Sequence, residues 1–95
     1  MTMPKDVTLK RAMNETRLLE FTFRKDLSTR VVEVYDFYED DKGNIKLWVW
    51  QREKDGERQV GTRVFFEEDV TYVQLLPDRF QERAMQVAPK KAFSV

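Results

Sequence analysis

Lys46, Trp48, Trp50 and Arg52 alternate along one short stretch, and Arg63 and Phe65 follow in the next. Aromatic rings stack on nucleic-acid bases, at roughly 1 to 3 kcal/mol per base, and cations beside them contact phosphates. These six residues are the candidate ligand-binding set, for a nucleotide or a short single strand of nucleic acid. The same residues have an internal use. Trp48 opposite Arg63 makes a cross-strand cation–π pair, Trp50 beside Gly61 covers a glycine, and a terminal helix could pack over the rings.

Two acidic strings, Glu39, Asp40 and Asp41, then Glu67, Glu68 and Asp69, could engage a basic protein partner. Neither has the spaced ligands of a calcium loop, so a solvated loop is the plainer reading and no metal site is assigned. Phe80 lies at helical spacing from Ala84 and Val87 and offers an apolar contact, either to a partner or second copy or to the chain's own sheet. Catalysis finds little support. The sequence has no cysteine and no histidine, which removes thiol nucleophiles, the commonest metal ligands and the usual base near neutral pH. Paired carboxylates alone, with no oxyanion donor, make a weak acid/base site. No enzyme and no cofactor is expected.

The elements that must position these residues follow from pattern. Asp55 and Gly56 are a strong hairpin signal, since a two-residue type I′ turn needs positive φ at both positions. With that turn as the loop, Lys54 pairs with Glu57, Glu53 with Arg58, Arg52 with Gln59, Trp50 with Gly61, Trp48 with Arg63 and Lys46 with Phe65. One face then carries Ile45, Leu47, Val49 and Gln51 against Phe66, Val64, Thr62 and Val60, and forms the core. The opposite face is aromatic and basic.

Upstream, residues 4–15 read as a short helix, with Pro4 in its first turn, Leu9, Ala12 and Met13 on one stripe, and Asn14 at its end. Leu19, Phe21 and Phe23 alternate as a half-buried strand. Residues 30–38 form a second strand whose pattern changes face, which predicts a bulge near residues 34–36. Downstream, residues 67–69 make a short turn, residues 70–76 a last strand stopped by Pro77, residues 78–87 a second short helix, and residues 88–95 a tail. About five bent antiparallel strands, mainly β, with a short helix at each end, suit a small barrel.

Length bounds this to one domain over residues 1–95. Seventeen basic and seventeen acidic side chains cancel, so any electrostatic footprint is local. The N-terminus has charges and Pro4 where a signal peptide needs an apolar run, and no stretch approaches the ~18 apolar residues of a membrane helix. A soluble cytoplasmic protein with no membrane partner is expected.

The chain also resembles the WYL domain, an Sm-like small β-barrel of bacterial and phage regulators. The resemblance runs over about residues 9–76. It is carried by Arg11, Ala12 and Met13 before the first strand, by Arg30, Val31 and Val32, by Leu47, Trp48 and Val49 at the name-giving tripeptide, and by the string from Arg63 to Val73. It implies a regulatory module binding a nucleic acid or nucleotide-like ligand on a basic surface. Trp48 replaces the tyrosine, and Phe66 and Asp69 replace two arginines of that surface, while Arg63 is kept. The lost arginines favour the alternative, a small protein-binding adaptor or inhibitor, phage-type or homodimeric, acting through the acidic loops and exposed aromatics.

Overall fold

The computed structural model describes residues 4–83. Its elements are α1 (Lys5–Asn14), β1 (Arg17–Phe23), β2 (Ser28–Glu39), β3 (Ile45–Lys54), β4 (Glu57–Phe66), a 3₁₀ turn (Glu67–Asp69) and β5 (Val70–Arg79). Helix α1 matches its expected span, and Leu9 and Ala12 are fully buried with Met13 packed beside them. Lys5 fixes its start: the ammonium donates to the carbonyls of Glu67 (2.9 Å) and Val70 (2.8 Å) and meets the Glu67 carboxylate at 2.7 Å. Among the described residues no helix is long and apolar enough to cross a membrane.

The strands form one antiparallel sheet in the order β4-β3-β2-β1-β5. Among the described residues no ladder joins β4 to β5, so the sheet is open where a closed barrel was expected. It is nevertheless strongly curled. Phe65 of β4 lies three strands from β1, about 14 Å in a flat sheet, yet its ring centroid is 5.2 Å from that of Phe21 and 5.0 Å from that of Phe23. The concave side holds Leu19, Phe21, Val32, Val34, Leu47, Val49 and Phe65, and α1 closes it from one side with Leu9 and Ala12.

The bulge expected in the second strand is present. The β2–β3 register shifts between Val34 and Asp36, and Phe37 beyond it packs on the same core as Val32 and Val34. Two other expectations are corrected. Pro77 does not end β5, which continues to Arg79; β5 is an edge strand, and its register against β1 shifts between the pairs Leu19–Leu75 and Arg17–Arg79, so the proline sits in an irregular stretch that needs no ladder donor. The C-terminal helix over 78–87 does not begin as expected: Asp78 and Arg79 are in β5 and residues 80–83 are not helical. The rest of that helix and the tail lie outside the described residues.

The hairpin turn forms as expected, with Asp55 at φ 51° and Gly56 at φ 81°. The register holds for Lys54–Glu57 and Glu53–Arg58, then slips by one residue. Gln51 now pairs with Gly61, Trp50 with Thr62, Val49 with Arg63, Trp48 with Val64 and Leu47 with Phe65. Gly61, at φ 152°, marks the point beyond which the new register runs. The slip turns Phe65 into the core against Phe21 and Phe23, and it places Val64 and Thr62, not Arg63, beside the tryptophans.

Candidate ligand groove

The convex side of the β2–β3 pair carries Glu33, Tyr35, Trp48, Trp50 and Arg52, because Glu33 pairs with Trp50 and the bulge brings Asp36 opposite Trp48. This is the expected aromatic and basic face, but the chain itself covers much of it. Trp48 is 7% exposed and packs with Tyr38 and Tyr35, the Tyr35 ring standing edge-on at 6.4 Å. After β5 the chain crosses back over this face. Phe80, 7% exposed, lies 5.7 Å from the Tyr35 ring, and the Arg83 guanidinium sits 4.6 Å over the Trp50 ring.

Glu33 anchors that crossing. It is fully buried in the middle of β2 and accepts from Arg52 Nε (2.8 Å), Arg83 Nε (3.0 Å) and Nη2 (3.1 Å), and the Tyr35 hydroxyl (2.6 Å). The Arg83 backbone N–H donates in turn to the Tyr35 oxygen at 3.0 Å. Burial alone would raise the Glu33 carboxyl, but the bonds from Arg83, Tyr35 and Arg52 outweigh it and hold the group below the usual range. Burial, with the bond to Glu33, pushes the Tyr35 hydroxyl up to about 12. One donor is left over: Trp50 Nε1 is buried with no acceptor among the described residues, at a cost of about 1–3 kcal/mol.

Beside this cluster a groove of about 450 Å³ is lined by Arg52, Glu53, Gly56, Arg58, Val60 and Arg83. That volume is within the range of small-molecule sites. Three segments supply its cations: β3 gives Arg52, β4 gives Arg58, and the chain after β5 gives Arg83. Arg52 and Arg83 are engaged with Glu33, whereas Arg58 makes no ion pair among the described residues. Val60, 43% exposed, adds the apolar wall.

Of the six expected ligand residues, only Arg52 lines this groove, and Trp50 lies next to it beneath the Arg83 guanidinium. Trp48 is buried behind them. Lys46 lies six residues along β3, its ammonium 5.2 Å over the Phe66 ring and 3.3 Å from Asp40. Phe65 is in the core, and Arg63 opposes Val49 and folds back to donate to the Thr62 carbonyl at 2.9 Å. The Trp48–Arg63 pair therefore does not form, for the one-residue slip separates them. The acidic strings are partly consumed inside the chain. Asp40 accepts from the backbone N–H groups of Asn44 and Lys42, both at 2.9 Å, Glu67 pairs with Lys5, and Asp69, 1% exposed, holds Arg24 at 2.6 Å. Glu39, Asp41 and Glu68 remain exposed. Phe80 is a packing residue of the crossing segment.

Glu33, Tyr35, Arg58, Val60 and Arg83 are the residues that sequence reasoning missed. Glu33 had a signal, a lone carboxylate inside the run Val31, Val32, Val34, Tyr35, where a charge needs a partner. Arg83 had none, since it lay in the segment read as a helix. No protein-family model, curated protein or solved structure matches this chain.

Proposed function

We propose that this chain is a non-enzymatic, ligand-binding regulatory module that holds a phosphate-bearing ligand, a nucleotide or short single strand, in the groove of Arg52, Arg58 and Arg83. The observation that carries this reading is the convergence of three guanidiniums on one groove of ligand size, with Arg58 unpaired among the described residues. Guanidinium forks suit phosphate oxygens, and the neighbouring indole gives a planar surface for a base. The strongly curled sheet and the order of elements support a divergent WYL-like, Sm-like small barrel as the scaffold. In this reading the basic surface has moved. The arginines replaced by Phe66 and Asp69 are compensated from the hairpin and from the segment after β5. The adaptor reading draws less support, because Asp40, Glu67 and Asp69 already have partners within the chain.

Titration with tripolyphosphate and with hexathymidylate, at low and at raised ionic strength, tests the proposal. Both are expected to bind at low salt. Arg58→Ala should weaken both roughly three- to tenfold and lower the salt slope by about 1. Absence of binding at low ionic strength, or an Arg58→Ala variant that binds as the parent does, would remove the groove from consideration.

A further inference from the structure

We infer that the face of the Trp50 indole covered by Arg83 is a latent stacking subsite for the planar heterocycle of a phosphate-bearing ligand, with residues 80–83 as its removable cover. The inference rests on the groove reading above and adds how the base is admitted.

The geometry already shows that the subsite takes a flat group. The Arg83 guanidinium, planar and delocalised, lies 4.6 Å over the indole, on a face that a heterocyclic base can occupy in its place. The cover is held by Phe80 at one end and by the polar bonds of Arg83 to Glu33 and Tyr35 at the other. Phe80 is buried against Tyr35, while Gln81 and Glu82 are exposed, so Arg83 can lift with Phe80 as the fixed end.

Release of Arg83 does not strand its partner. Glu33 still accepts from Arg52 and from the Tyr35 hydroxyl. A ligand phosphate in the groove offers Arg83 the same kind of acceptor that Glu33 offers, since Arg83 lines both. The phosphate thus draws the guanidinium away as the base arrives on the ring. Trp48 cannot serve this role, being 7% exposed beneath Tyr35.

The test uses the full chain carrying Trp48→Phe, so that emission reports Trp50 alone; should that variant not fold, acrylamide quenching of the two-tryptophan protein reads Trp50, as Trp48 is buried. Hexathymidylate is expected to quench Trp50 emission, whereas tripolyphosphate binds without quenching. Arg83→Lys keeps the charge and removes the planar cover. Whatever the change costs the shared phosphate contact, it should raise hexathymidylate affinity relative to tripolyphosphate affinity roughly three- to tenfold, the size of one cation–π contact. Hexathymidylate binding that leaves Trp50 emission unchanged, or an Arg83→Lys variant with no gain for the base-bearing ligand relative to tripolyphosphate, would overturn the subsite and leave the groove standing. Failure of both ligands to bind at low ionic strength would overturn the groove and the subsite together.

Discussion

Replacing Glu33 by glutamine removes one charge from the most connected buried group on the convex face. The carboxylate is fully buried and accepts from Arg52 at 2.8 Å, from Arg83 at 3.0 and 3.1 Å, and from Tyr35 at 2.6 Å. Breaking a buried ion pair by removing one partner costs roughly 3–5 kcal/mol when the other charge is left without solvent. Here the arginine side chains are 36% and 42% exposed, so both can turn to water, and glutamine keeps an acceptor oxygen. The expected loss is therefore below that range, at about 2–3 kcal/mol. For a domain of this size such a loss lowers the melting temperature by on the order of 10–20 °C. Urea denaturation gives the free energy directly, as a lower midpoint with unchanged slope, if the native fold is kept. Acrylamide should also reach Trp50 more readily, since Arg83 loses its tether. A destabilisation below about 0.5 kcal/mol, the range of an ordinary surface change, would show that Glu33 does not hold the two arginines, and the account of the cover would fall with it.

Three further outcomes follow from other parts of the fold. Gly61→Ala should cost about 1–3 kcal/mol by urea denaturation. The new Cβ, 2.6 Å from Arg63 Nη1, can push that flexible side chain aside, but φ of 152° remains unfavourable for alanine. Arg30→Ala should cost about 1–3 kcal/mol, because Gln51 is fully buried and loses the donor at 2.6 Å on its side-chain oxygen. Arg30→Met combined with Gln51→Leu, which removes both sides of that bond, should cost less than Arg30→Ala alone. Stability should also decline in acid. Bonds from Arg11 and Arg17 hold the Glu15 carboxyl down at about 2 against 4.5 unfolded, and Glu33 and Asp26 are lowered as well. As pH falls the unfolded chain therefore takes up protons first, and the urea midpoint should drop from about pH 4.5 towards pH 2, with no comparable loss between pH 5 and neutrality.

Much of the fold is legible in local pattern. Leu9, Ala12 and Met13 place α1, the alternation of Leu19, Phe21 and Phe23 places β1, and Asp55 with Gly56 gives the turn, because each signal depends on neighbours within a few residues. The pairing of β3 with β4 is not of that kind. The end of β4 offers adjacent phenylalanines, Phe65 and Phe66, and either could face the core on alternation alone. What decides between them lies across the sheet: Phe65 meets Phe21 and Phe23, and the Arg30 guanidinium lies 5.5 Å over its ring. A bulge ahead of Gly61 is the local price of that distant contact. The groove escapes the sequence for the same reason. Arg52 and Arg58 flank one hairpin turn, but Arg83 is distant in the chain, and only the return of the segment after β5 brings it to them.

The two buried charges of β2 also explain why its register against β3 tolerates no sliding. Arg30 points into the concave side between the rings of Phe23 and Phe65, bonded to Ser28, Asp26 and Gln51. Glu33 points to the convex side and meets Arg52, the next residue of β3 after Gln51. The signs are opposite, the faces are opposite, and each charged side chain makes a hydrogen bond to the same neighbouring strand, Arg30 to Gln51 and Glu33 to Arg52. A one-residue slip would turn Arg30 out of its cage and drive Glu33 into the apolar core, with both partners facing the wrong way. Valines at 31, 32 and 34 could satisfy either arrangement, so apolar pattern leaves this strand ambiguous and its polar residues resolve it. The same device that fixes the central pair leaves Glu33 reachable from the convex surface, and it is there that Arg83 has something to let go of.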